Sequence, residues 1–213
     1  MRQVLDLRRA GGALILVAYR GDWRPYCCGQ LVRLANEEPD LQRGGAEIVA
    51  LSVDSPGRNE AFRRRWHLPY RIVSDPGGER FLQPLDAWNP GERGGIGWPT
   101  GWLYAPDGTE VFRARSRDFA DRPPDDDLLA ALGGLALPAI DLAPAPPTAA
   151  PEEHDGALRV ETFGPFFRGI RFATFALAGR LTDDADRDEA LAMSAMAGSF
   201  LDAWKQRRAA PSI

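Results

Sequence analysis

The stretch "VAYRGDWRPYCCGQL", residues 17–31, joins the end of an apolar run to a turn and to the start of a helical pattern. The run "ALILVAY", residues 13–19, predicts a buried β-strand, and the spacing of the apolar residues from Leu31 onward predicts a helix. Cys27 and Cys28 fall at the junction of the two. Because a helix N-terminus stabilises negative charge, a cysteine at this junction indicates a thiol redox site.

The rest of the first 135 residues alternates between strand and helix patterns. "AEIVALSVD" (46–54) and "YRIVSD" (70–75) read as strands, and "SPGRNEAFRRRWHL" (55–68) as a helix with Ser55 as its N-cap. "WLYAPDGTEVFRA" (102–114) predicts a hairpin, and "PPDDDLLAALGGL" (123–135) a helix with acidic residues in its first turn. This order predicts an α/β fold, with a mixed central sheet flanked by helices. Pro39 is expected to kink or end the first long helix.

The composition changes near residue 137, which suggests three parts. We predict a main domain over 1–137, a Pro/Ala-rich and semi-rigid linker over 138–151, and a helical extension over 152–213. The extension shows two amphipathic helical patterns and reads as a helical hairpin. It is too short for a strong core of its own, so we expect it to dock on the main domain or on a second subunit. A homodimer through these helices is our prediction.

Composition and charge exclude several classes of function. The chain has 213 residues, 44% of them hydrophobic and 26% charged, with a net charge of −4. No overall basic field is present to attract nucleic acid, and the longest early apolar run is too short to span a membrane. With only two cysteines and two histidines, which are isolated, we expect neither a metal site nor a disulfide framework, and no cofactor. No export signal is evident, which favours the cytoplasm.

Three segments taken in order resemble the thioredoxin-like superfamily, in its peroxiredoxin-like branch (AhpC/TSA, redoxin). They are "VAYRGDWRPYCCGQL", "IVALSVDSP" and "WPTGWLYAPDGT". The resemblance covers roughly residues 4–133. It implies a thioredoxin fold and a role in peroxide reduction or thiol–disulfide exchange, with a small peroxide or thiol substrate and an external thiol as reductant.

The resemblance also implies roles for individual residues. Cys27 matches the peroxidatic cysteine, and Pro99 matches a proline that is cis in that fold. Arg24 stands where the family carries threonine, serine or cysteine, which excludes disulfide exchange through a CxxC pair. We predict that Arg24 acts with Cys27 by supplying positive charge near the sulfur. The substrate-contacting positions are then predicted to be Arg20, Trp23, Trp98, Pro99 and Thr100. No clear match to the family's later active-site arginine is found.

Alternatives remain open from the residues alone. Cys28 is either a second thiol that resolves or protects Cys27, or a small buried apolar residue. Asp54 fits a helix cap better than a catalytic base, and His67 fits a structural role. The protein is then a one-cysteine peroxidase or oxidoreductase, a redox-inactive binding or assembly protein, or a redoxin scaffold recruited to another small-molecule reaction, with the glycine-rich loop 89–97 shaping its pocket.

Overall fold

A computed structural model describes residues 2–122 and 125–209. The elements in chain order are helix α1 (Arg2–Leu5), strand β1 (Ala13–Ala18), helix α2 (Pro25–Arg43), strand β2 (Ala46–Ser52), helix α3 (Pro56–Arg65), strands β3 (Arg71–Ser74), β4 (Trp88–Asn89), β5 (Ile96–Gly97), β6 (Thr100–Tyr104) and β7 (Glu110–Arg115), and helices α4 (Asp125–Gly133), α5 (Val160–Ala178) and α6 (Asp184–Ala209).

The central sheet has five strands in the order β3-β2-β1-β6-β7. Strand β1 pairs in parallel with β2, which pairs in parallel with β3, whereas β1–β6 and β6–β7 are antiparallel. The predicted mixed sheet is therefore confirmed. Because β1 lies at the centre and all six of its residues are buried, the loop that follows its end starts from a rigid position.

The two faces of the sheet are covered differently. On one face, Ile15 and Val17 pack in a cluster to which all five helices from α2 to α6 contribute. On the other face, Leu14 and Leu16 pack under residues of the N-terminal segment and of the turns at 75–88, including Phe81 and Leu82. The helical layers expected on both faces are thus concentrated on one.

The two C-terminal helices pack on each other and on α2. Phe167 of α5 and Phe200 of α6 have ring centroids 5.3 Å apart, and both are fully buried. A Cβ placed on Gly29 of α2 would lie 2.4 Å from the Phe200 ring, so only glycine permits this approach. Asn36 of α2 also donates to the carbonyl of Ala203 at 2.8 Å. The predicted helical hairpin is confirmed, and it docks on the main sheet-bearing part.

The proline-rich segment between the two parts lies along the rest of the protein. We call residues 138–158 the strap. Its backbone bonds include Ile140 N–H to the Gln42 carbonyl (2.8 Å), Ala145 N–H to the Pro69 carbonyl (2.6 Å) and Glu152 N–H to the Gly57 carbonyl (2.9 Å). The strap has no regular secondary structure, but these bonds hold it at several points along its length.

Local details differ from the sequence-based expectations. Helix α2 does not end at Pro39 but continues to Arg43. The short strands β4 and β5 pair within the segment that the sequence presents as a glycine-rich loop. Ser55 caps α3 as predicted, accepting a bond from Arg58 N–H at 3.3 Å. The prediction for Pro123 and Pro124 lies outside the described residues.

Candidate thiol site

Cys27 lies in the first turn of α2, directly after the turn that follows β1. The helix begins at Pro25, whose missing N–H costs nothing at a position without an intrahelical partner. Arg24 is the N-cap residue, but its side chain forms no capping bond. The side chain of Cys27 is 0% exposed and packs in the main apolar cluster. The junction predicted from the sequence is present, and the sulfur is beneath the surface.

A guanidinium does contact this sulfur, but it belongs to Arg122. The Nη2 atom of Arg122 lies 3.2 Å from Cys27 Sγ, within hydrogen-bonding distance for sulfur. The side chain is largely buried, and its Nη1 donates to the carbonyls of Phe119 and Asp121. No carboxylate among the described residues forms an ion pair with it, and its Nε has no partner there. The hydrogen bonds of this buried guanidinium among the described residues are therefore those to the Cys27 sulfur and to two carbonyl oxygens.

Arg122 also lines a cavity of about 480 Å³. Helix α6 supplies its apolar wall, which includes Met193, Met196 and Phe200, and the segment before α4 supplies Arg117 and Asp118. A volume of this size suits a small organic ligand. Since Cys27 is not among the lining residues, Arg122 is the link between the cavity and the sulfur.

Glu92 bridges Arg24, which we expected near the sulfur, and Arg20, which we expected to contact the substrate. One carboxylate oxygen accepts from Arg24 Nη2 at 2.9 Å, and the other accepts from Arg20 Nη2. Burial alone would raise the pKa of Glu92, but the hydrogen bond and charge of Arg20 and then the charge of Arg24 outweigh it, and the pKa is lowered. The pKa of Arg24 is lowered by desolvation and by the neighbouring charge of Arg20.

The Trp23 ring lies beside two arginines, Arg24 and Arg93. The guanidinium carbon of Arg24 lies 4.3 Å from the centroid of the Trp23 ring, and that of Arg93 lies 3.8 Å from it. These distances are typical of cation–π contacts. The structure therefore brings Arg20, Trp23 and Arg24 together, but around Glu92.

The loop Trp98-Pro99-Thr100 is held by main-chain bonds at the start of β6. Trp98 N–H donates to the Ala87 carbonyl at 2.8 Å, and Ser116 N–H donates to the Pro99 carbonyl at 2.9 Å. The Thr100 hydroxyl donates to the Trp98 carbonyl at 3.0 Å. The peptide bond before Pro99 is trans, so the expected cis isomer is wrong. An aromatic residue before proline only biases the isomer, and these bonds to neighbouring segments determine the local geometry.

Cys28 is fully buried and faces different groups. Its thiol contacts the carbonyl of Asp22 at 3.8 Å. Desolvation, and then the charges of Cys27 and Asp22, raise the pKa of Cys28 well above its ordinary value, so it stays a neutral thiol. Both cysteines are free.

A buried polar cluster lies next to Cys28. The Asp22 carboxylate pairs with Arg58 at 3.2 Å and with His154 of the strap at 2.7 Å. Gly156 N–H donates to His154 Nδ1, which places the ring proton on Nε2, facing Asp22. Asp54, which we expected to cap the next helix, accepts from the Asp22 N–H and pairs with Arg58, whereas the N-cap of α3 is Ser55. The pKa of Asp54 is raised by burial and by Asp22.

Sequence reasoning missed two residues of this site, Arg122 and Glu92. Both lie in irregular segments without hydrophobic periodicity. The sequence before Arg122 does contain a turn signal, Asp118. Its carboxylate accepts from the N–H groups of Ala120 and Asp121 at 2.7 and 2.8 Å, and the turn leads directly to Arg122. Within the described residues, no group of three or more candidate ligands suited to a metal ion is present. Nor is any described helix both long and apolar enough to cross a membrane.

The sheet order and the cysteine at the start of the first long helix define a thioredoxin-like protein of the peroxiredoxin type. The profile of the AhpC/TSA family matches residues 3–111, just over half of the chain, and the chain belongs to this family. The expected family is therefore confirmed.

Similar proteins include peroxiredoxin bcp1 of Schizosaccharomyces pombe, which is 30% identical over 95 residues, 45% of this chain and 47% of that protein. Chloroplastic peroxiredoxin Q of Gentiana triflora is 29% identical over 69 residues, 32% of each chain. The chain thus spans less than half the length of these curated relatives.

Among solved structures, the bacterioferritin comigratory protein of Xanthomonas campestris superposes with a TM-score of 0.52 at 25% identity. The superposition covers 60% of this chain and 82% of that one. The Xanthomonas protein has an alkyl peroxide reduction activity, and its structure was solved as a trapped intermediate or ligand complex.

Proposed function

We propose that this protein is a thiol peroxidase in which Cys27 is the single reactive cysteine. The contact between Arg122 and Cys27 Sγ carries the proposal, because it pairs a buried cation with a sulfur at a helix N-terminus. The thiolate is the nucleophilic form of cysteine. Relatives named as peroxiredoxins support peroxide as the substrate and an external thiol as the reductant.

The proposed reaction has two stages. The Cys27 thiolate attacks the terminal oxygen of a hydroperoxide, an S–O bond forms, and the O–O bond breaks. The alkoxide or hydroxide leaves with a proton from solvent, and Cys27 becomes a sulfenic acid. An external thiol then attacks that sulfur and releases water, and a second thiol displaces the Cys27 thiolate from the mixed disulfide. Free buried thiols of this kind suit a reducing compartment such as the cytoplasm.

Titration with hydrogen peroxide tests the assignment of Cys27. One equivalent is expected to add one oxygen, about 16 Da, to the intact mass of the wild-type protein, and an added thiol should reverse it. Cys28→Ser is the matched control and should gain the same mass, whereas Cys27→Ser should gain none. If wild-type protein reacts no faster than free cysteine, the proposal is wrong. The redox-inactive alternative, which the buried sulfur and the pairing of Arg24 with Glu92 favour, would then stand.

We also propose that the C-terminal helices form a homodimer. Phe172 and Phe175 of α5 are 68% and 64% exposed and border a groove of about 640 Å³ whose α6 side carries the small residues Ala195 and Gly198. Aromatic side chains beside a small-residue groove form a self-complementary surface, as a twofold interface requires. Arg171 and Asp202 border the same groove, so two copies related by a twofold axis can pair them reciprocally.

Two charges placed in this groove test the dimer. Phe172→Glu/Phe175→Glu is expected to convert a dimer to a monomer, because it buries like charges at the twofold interface. Light scattering coupled to size exclusion gives the molar mass. Val111→Glu introduces one such charge at an exposed position of β7 and should leave the dimer intact. A wild-type protein that is monomeric, or a double variant that remains dimeric, would contradict the proposal.

A further inference from the structure

Arg20 and Arg24 form a site for a carboxylate, which a side chain of the protein itself fills in this conformation. Each of the two guanidiniums binds a different oxygen of the Glu92 carboxylate. The carboxylate is thus held between two positive charges by charge-assisted hydrogen bonds, which are stronger than neutral ones. A carboxylate on a separate molecule can make the same contacts.

The three arginines near Glu92, which are Arg20, Arg24 and Arg93, carry more positive charge than this one carboxylate neutralises. Arg24 and Arg93 lie over the Trp23 ring, and Arg20 shares Glu92 with Arg24. Among the described residues, Glu92 is the only carboxylate that forms an ion pair with any of these three arginines. Arg20 is 3% exposed, and its Nε has no hydrogen-bond partner among the described residues. A buried guanidinium with an unused donor beside excess positive charge indicates a binding site more than a surface ion pair.

The loop that carries Glu92 is held by a short ladder. It joins two strands of only two residues each, β4 and β5, so few ladder bonds oppose its displacement. Gly94 and Gly95 have φ angles of +79° and +117°, which fix a sharp turn directly after Arg93. The Glu92 side chain is 34% exposed, so a soluble ligand has access to its edge.

We propose that Arg20 and Arg24 bind a small organic acid through its carboxylate, and that Glu92 occupies this site until the ligand displaces it. Trp23 supplies an apolar surface for the carbon chain next to the carboxylate. This inference does not depend on the reactivity of Cys27, since no bond of the ligand changes. Its test is therefore a binding measurement on the full chain.

Calorimetric titration with succinate in chloride-free buffer tests the proposal. Glu92→Gln removes the internal competitor, so it should bind succinate at least about tenfold more tightly than the wild-type protein. The neutral analogue succinamide should bind neither the wild-type protein nor Glu92→Gln, because it has no carboxylate. Glu79→Gln removes a carboxylate of the same size from an exposed turn and should behave as wild type.

A second variant distinguishes this site from general attraction of anions. Arg24→Met in the Glu92→Gln background should abolish the gain, whereas loss of Arg43, an exposed arginine at the far end of α2, should not. Circular dichroism checks that each variant is folded. Equal affinity of Glu92→Gln and wild-type protein for succinate, or retention of the gain without Arg24, would overturn the proposal.

Discussion

Replacing Arg122 by Met is expected to slow the oxidation of Cys27 by hydrogen peroxide by about 10- to 100-fold. The guanidinium donates to the sulfur at 3.2 Å, and hydrogen bonds to charged groups contribute about 1.5–3 kcal/mol. Met preserves much of the apolar stem but removes the donor and the positive charge. The rate is measured by stopped-flow oxidation, and in parallel by alkylation of Cys27 with iodoacetamide.

Arg117 provides the matched control for this substitution. It lies in the same segment and borders the same cavity, but it pairs with Asp121 and Glu189 and its side chain is 68% exposed. Arg117→Met should stay within about threefold of the wild-type rate, because exposed ion pairs contribute little. If both variants slow the oxidation by the same factor, Arg122 acts through the overall positive charge of the region and not through its contact with Cys27. If neither loses activity, Arg122 has no part in the reaction.

Phe200→Ala is expected to lower the free energy of unfolding by about 3–5 kcal/mol. The side chain is 1% exposed, stacks edge-on against Phe167 and fills the space left by the missing side chain of Gly29. Its removal leaves a cavity at the junction of α2, α5 and α6. Chemical denaturation followed by circular dichroism gives the difference.

The same experiment tests whether the C-terminal helices belong to the cooperative fold. The control Val111→Ala truncates an apolar side chain that is 40% exposed, and should change the free energy by about 0.5 kcal/mol or less. If Phe200→Ala lowers the free energy of unfolding by less than about 1 kcal/mol, the packing of α6 on α2 contributes little to the stability of the fold. The division of the chain into a main domain, a linker and an extension stays a prediction until such measurements are made.

The scaffold of this protein could be predicted from the sequence because its signals are local. The unbroken apolar run of β1 and the nearly unbroken run of β2 indicate strands buried on both sides, and Ser55 marks the start of α3. The order of these elements then leaves very few possible strand orders for the sheet. Cys27 falls at a helix N-terminus for the same local reason.

The groups around Cys27 could not be predicted in this way. Arg122 reaches the sulfur from 95 residues away in the chain, and Glu92 reaches Arg24 from 68 residues away. Both side chains come from irregular segments, whose paths depend on tertiary contacts such as the packing of Phe119 on Tyr26. From the sequence we assigned the cation near the thiol to Arg24, which is close to Cys27 in the chain, whereas the guanidinium that donates to the sulfur is that of Arg122.

The contact of the strap with Asp22 has a consequence for how this protein can be divided experimentally. His154 and the N–H of Leu158 both bind Asp22, which stands two residues before Arg24 in the turn that leads to Cys27. A deletion after residue 137 would remove His154 and leave the Asp22 and Asp54 carboxylates sharing Arg58 alone. Like charges so close together repel, and the turn would rearrange. We therefore expect truncation to disturb the turn that leads to Cys27, because the strap and this turn meet at a single aspartate.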